Sequence, residues 1–124
     1  MEFGMTIEQK ETGNLIGSDK VEGTAVYGAD DAKIGSIERV MIDKISGKVS
    51  YAVLGFGGFF GLGNDHYPLP WQSLKYDVRL GGYVTGITER QLRGAPRYAE
   101  DSDWNWNDVE KNRALDAYYG VPVL

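Results

Sequence analysis

The spacing of turn-forming residues constrains this chain more than any other feature. Between Val21 and Ile87, short β-branched and aromatic runs are cut by Gly28-Ala29-Asp30-Asp31, Asp43–Lys48, Gly55–Asn64 and Gly81-Gly82. Aspartate accepts local backbone hydrogen bonds and glycine tolerates positive φ, so each cut reads as a turn. No two runs stand far enough apart for a helical crossover, which excludes βαβ units. Glycine supplies 17 of the 124 residues, about twice its ordinary usage. Frequent turns and no crossovers predict one mainly β domain.

The runs themselves are legible. Val21–Tyr27 is a short strand and Lys33–Asp43 the next. Ile37 lies on one phase of that second strand, Val40 and Ile42 on the other, so a bulge near Glu38–Arg39 is expected. Gly47 suits the left-handed position of the Asp43–Lys48 hairpin loop. Val49–Phe56 is apolar enough for a central strand buried on both faces. In His66–Trp71, Pro68 and Pro70 cannot donate to a ladder, which places that strand at an edge or rim. Leu74–Leu80 alternates cleanly, and Gly81-Gly82 reads as a two-residue turn to Tyr83–Ile87. Thr88-Glu89-Arg90-Gln91 is a capping box, with Gly94 and Pro96 closing the helix. Arg97–Asn105 resembles a linker. A second helix starts at Asn107-Asp108 and ends near Tyr119, with Gly120 as its stop. The expected core comprises Val26, Ile37, Val40, Ile42, Val53, Leu54, Leu69, Trp71, Leu74, Tyr76 and Val78. The whole reads as a small antiparallel β-barrel of about six strands. An N-terminal arm (1–18), the barrel (19–97) and an acidic, aromatic tail (98–124) divide the chain.

Composition excludes more than it suggests. There is no cysteine and a single histidine, so disulfides, thiol nucleophiles and His-rich metal sites are out. The net charge of -5 opposes a nucleic-acid partner, which needs a basic surface. The N-terminus has neither the basic nor the apolar region of a signal peptide. The longest uncharged stretch, Val49–Asn64, is interrupted by glycines and too short to span a bilayer. A cytoplasmic chain with no integral membrane segment is expected.

Four constellations carry potential chemistry. The glycine-rich loop Gly55–Gly63 suggests phosphate binding, but it joins two strands and holds no cation, so tight bending explains its glycines better. Asp65-His66 lacks any nucleophile motif around it, which favours a rim histidine over a catalytic one. Asp30-Asp31 with Asp43 lacks calcium-loop spacing and reads as turn chemistry. Tyr67, Trp71, Trp104 and Trp106 could stack a planar ligand. Trp71 fits the core, and the other two tryptophans fit anchors for the tail.

An ordered set of residues then points to a family. Leu15-Ile16-Gly17-Ser18-Asp19, Lys33-Ile34-Gly35-Ser36-Ile37-Glu38, Met41-Ile42-Asp43 and Gly47-Lys48-Val49 come first. Tyr51-Ala52-Val53-Leu54, Phe56-Gly57-Gly58-Phe59, Gly61-Leu62-Gly63 and Pro68-Leu69-Pro70-Trp71 follow. In this order the chain resembles the PRC-barrel family from about Leu15 to Pro96. That family takes its name from the cytoplasmic domain of the photosynthetic reaction-centre H subunit. The tail, with Trp104 and Tyr118–Pro122, looks like that of small stand-alone bacterial members. The resemblance implies a small β-barrel that works by protein contact and is not an enzyme.

The reading is a non-enzymatic interaction or assembly module with no catalytic, cofactor-binding or metal site and no obligatory cofactor. Its candidate surface is Phe59, Phe60 and Leu62 in the glycine-rich loop, with Trp104, Trp106, Tyr118 and Tyr119 in the tail. The expected partner is a second copy in a homodimer, beside an unidentified protein. The alternative is a sensor binding a small molecule at the barrel mouth.

Overall fold

The computed structural model describes residues 13–56, 65–100 and 103–121. Phe59, Phe60 and Leu62 lie outside them. The described elements are α1 (Ser18–Val21), β1 (Ala25–Tyr27), β2 (Lys33–Ile42), β3 (Val49–Gly55), β4 (Tyr67–Pro70), β5 (Lys75–Asp77), β6 (Gly82–Val84), α2 (Glu89–Arg93) and α3 (Val109–Tyr118). The protein is mainly β, with six strands in one sheet ordered β4-β3-β2-β1-β6-β5.

Two hairpins use one device. The Asp43 carboxylate accepts from the Ile45 and Ser46 amides at 2.9 and 3.0 Å, and Gly47 N–H donates to the Asp43 carbonyl at 2.7 Å. The Asp77 carboxylate accepts from Arg79 and Leu80 at 2.8 and 3.1 Å, and Gly81 N–H donates to the Asp77 carbonyl at 2.8 Å. Both glycines take the left-handed conformation, at φ 79° and 68°. The pattern Asp-x-x-x-Gly therefore closes both loops. It also corrects the two-residue turn expected at Gly81-Gly82, because Gly82 already pairs with Asp77 inside the hairpin.

The expected bulge is present: Ile37 pairs with Leu54 and Arg39 with Val53, leaving Glu38 unmatched between them. The edge placement of the proline strand also holds, since β4 ends the sheet. A wholly antiparallel arrangement does not. β1 and β6 run parallel, through Val26↔Tyr83 and Tyr27↔Val84. The reason lies in the chain path. β1–β4 form a meander, the 3-10 turn Trp71–Ser73 ends β4, and the β5–β6 hairpin pairs on the far side of β1. Among the described residues, the two terminal strands β4 and β5 follow one another in sequence without sharing a ladder.

The sheet buries two faces. The main core gathers Val26, Ile34, Ile37, Ala52, Leu54, Phe56, Tyr67, Leu69, Leu74 and Tyr83 among others, with Val40 and Trp71 partly buried against it. A second cluster on the opposite face of β3 joins Val53 to Tyr98, Trp104 and Leu115. β3 is thus buried on both faces, as its composition requires.

Several expectations are corrected. Ser18–Val21 is a helical turn, so the first strand is only Ala25–Tyr27. Ile42 is 52% exposed, because the register shifts between Met41 and Ile42 at the end of β2. Tyr76 is 49% and Val78 86% exposed. The Asp77 carboxylate ends β5 and carries Val78 into the turn, so the alternation of Leu74–Leu80 outlasts the strand. Trp71 lies in the 3-10 turn rather than in β4.

Candidate interaction surface

The tail docks on its own sheet. Asp108 caps α3 by accepting from Lys111 N–H at 3.1 Å. The helix then presents Leu115, which is fully buried, to the outer face of β3. Trp104 is 6% exposed between Tyr98 and Trp106, and Trp106 packs on Tyr51 with ring centroids 5.7 Å apart. The Lys111 ammonium sits 4.6 Å from the centroid of the Trp104 ring. Tyr119 packs against both clusters, and burial holds its hydroxyl well above the ordinary tyrosine range. Tyr118 is 38% exposed and donates its hydroxyl to the Gln91 carbonyl of α2. Trp104, Trp106 and Tyr119 therefore pack within one chain, which supplies the docking surface that so polar a helix requires.

The same seam carries one ionisable pair. Tyr51 Oη donates to Asp116 Oδ1 at 3.3 Å. Burial raises the Asp116 carboxyl, against a lowering by this hydrogen bond. Tyr51 is pushed up to about 12, by burial first and by the Asp116 charge second.

At the ends of the glycine-rich loop, the stretch expected as a linker at Arg97–Asn105 begins with paired residues. His66 and Tyr98 exchange backbone hydrogen bonds at 2.8 and 3.0 Å, and their rings stack 5.1 Å apart. The bulge aims Glu38 over Gly55, where its carboxylate meets His66 Nδ1 at 2.5 Å. Arg97 Nε donates to Asp65 Oδ2 at 3.1 Å. Glu38 and Tyr98 thus hold His66 through its Nδ1, its backbone and its ring. Among the described residues, no group of three or more His, Asp or Glu side chains could hold a metal ion.

A surface that sequence reasoning missed lies at the β5 end of the sheet. Tyr76 packs edge-on to the buried Tyr83, with centroids 5.2 Å apart, and leaves its other side open. Val78 stands beside it, and Leu15 and Ile16 approach from the N-terminal segment at 90% and 36% exposure. These residues, with Lys20 and Thr24, line an open cavity of about 740 Å³. The missed signal was an apolar pair, Leu15-Ile16, between Gly13 and Gly17 and outside any strand pattern. A second, polar cavity of about 370 Å³ lies beside Tyr51, Asp116, Asp43 and Lys48. No helix among the described residues is long and apolar enough to cross a membrane.

The family model for the PRC-barrel domain matches residues 13–91. No curated protein matches the chain. Among solved structures, one similar chain is a protein described as 16S ribosomal RNA processing protein RimM, from Pseudomonas aeruginosa. The two are 15% identical with a TM-score of 0.41, over 65% of this chain and 49% of that one. This chain therefore spans about half the length of that protein. With the family's domain matched across most of the sequence and a six-stranded sheet beneath it, this chain belongs to the PRC-barrel family.

Proposed function

We propose that the protein is a non-enzymatic interaction module that assembles through the β5 end of its sheet. The observation that carries this reading is the cluster of Leu15, Ile16, Tyr76 and Val78, apolar side chains held in the open beside a terminal strand. Contiguous exposed apolar surface costs solubility and is retained where a partner covers it. The tail aromatics serve a different purpose in this reading: residues 98–124 brace the barrel of residues 19–97 in cis. His66, engaged by Glu38 and Tyr98, is left to structure rather than to proton transfer.

The test is sedimentation velocity of the full chain over a micromolar concentration series. Association that weakens in Val78→Asp and in Leu15→Asp is the expected result. A monomer throughout, with a cis-packed tail, would overturn it. The cavity beside Tyr76 and Tyr83 also favours a second reading, a small-molecule site at the barrel mouth. That reading requires a ligand whose binding Tyr76→Ser abolishes while sedimentation stays unchanged.

A further inference from the structure

The interaction reading leaves open how the surface is used, and two features of β5 narrow it. The first is the contrast between the sheet's two ends. β4 carries Pro68 and Pro70 and lies against α3, devices that block strand addition. β5 has no proline and, among the described residues, pairs only with β6 in the sheet. Its outer edge is a template for another strand.

The second feature is the charge order Lys75-Tyr76-Asp77. Lys75 and Asp77 share one face of the strand and Tyr76 takes the other. In an antiparallel pair of identical strands centred on Tyr76, each Lys75 stands opposite the other copy's Asp77. Centring the pair on Lys75 or on Asp77 instead sets like charges face to face. The one-residue slips leave both charges without an opposite partner. One register alone is therefore self-complementary, and like charges directly opposite disfavour the competing ones. The same register brings the two Tyr76 rings side by side on the face that holds Leu15 and Ile16.

Resting on the interaction reading, we infer that the occupant of this surface is a second copy of the chain, added edge to edge. The two β5 strands pair antiparallel about a two-fold axis at Tyr76. Such an interface is isologous and closes at the dimer, which leaves the β4 edges blocked and stops further growth.

The absence of cysteine makes the register directly testable. Tyr76→Cys places two thiols opposite each other, and strands paired this way hold Cα atoms about 5.5 Å apart, within disulfide reach. Mild oxidation is expected to give a covalent dimer from Tyr76→Cys and little from Lys75→Cys, whose thiols are offset along the strands. A charge arm reads the same register without oxidation. Lys75→Glu sets two carboxylates opposite one another and is expected to weaken association about tenfold. Adding Asp77→Asn relieves that repulsion, keeps the oxygen that receives the Arg79 and Leu80 amides, and is expected to restore most of the affinity. If the wild type dimerises but Tyr76→Cys stays uncrosslinked and Lys75→Glu changes nothing, the edge pairing falls and the interaction reading survives. If the wild type never dimerises, the interaction reading falls and the edge pairing with it.

Discussion

Asp116 shows how one side chain can set the pH response of a domain. It sits on α3 at the seam with β3, where Tyr51 Oη reaches it. Burial raises its carboxyl above the ordinary value of 3.8, so the folded chain holds this proton more tightly than the unfolded one. The sign follows: Asp116 favours the fold most below pH 3.8, and that contribution is lost as pH rises through the raised value. At neutral pH the charged carboxylate is a liability. Asp116→Asn keeps an oxygen for Tyr51 and removes the charge. Thermal melts should place the variant above the wild type near neutral pH, by about 0.5 kcal/mol after screening at a partly exposed site. The difference should vanish in acid; a gap that persists there would contradict the assignment. Nothing local in the sequence hints at this pairing, because Tyr51 and Asp116 meet only when the tail folds back.

Elements were legible where local chemistry decides them and obscure where distant pairing does. The capping box at Thr88 forms in full, with Thr88 accepting from Gln91 N–H and Gln91 accepting from Thr88 N–H. The bulge near Glu38 followed from a change of apolar phase within one strand. The parallel β1–β6 pair was invisible, because neither strand carries a local mark of its partner. Tyr76 and Val78 look like core in the sequence because their alternation with Lys75, Asp77 and Arg79 continues through a turn that Asp77 caps. That turn is testable through its glycine. Gly81 holds φ at 68° with open space around a would-be Cβ, so Gly81→Ala meets backbone strain and no clash. Urea denaturation should show a loss of about 1 kcal/mol. Gly86, also in open space but without positive φ, should accept alanine with no loss. Equal costs at the two sites would mean that the hairpin does not depend on the left-handed residue.

At the scale of the whole molecule, the protein is a barrel-like sheet with a brace, and the two cores differ in quality. The inner core is mostly aliphatic, with Phe56, Tyr67 and Tyr83 as its buried aromatics. The seam under the tail mixes tryptophan and tyrosine, and Trp104 Nε1 and Tyr119 Oη lie buried there without hydrogen-bond partners among the described residues. Each such orphan group costs about 1–3 kcal/mol of desolvation, so the seam is the weaker of the two. It should therefore open first. Leu115 is the tail's fully buried aliphatic anchor, and Leu115→Ala removes about 2–5 kcal/mol by lost burial and a residual cavity. That loss falls on a helix of ten residues that is too short and polar to persist undocked. The expected outcome is selective release of the tail from an intact barrel. Two of the three tryptophans, Trp104 and Trp106, belong to the tail, so their emission should shift to the red well below the temperature at which the sheet's circular dichroism signal is lost. In the wild type the two probes should lie closer together. A variant in which both signals still melt as one would show that tail and barrel fold as a single unit, and that residues 98–124 are part of the domain rather than a brace upon it.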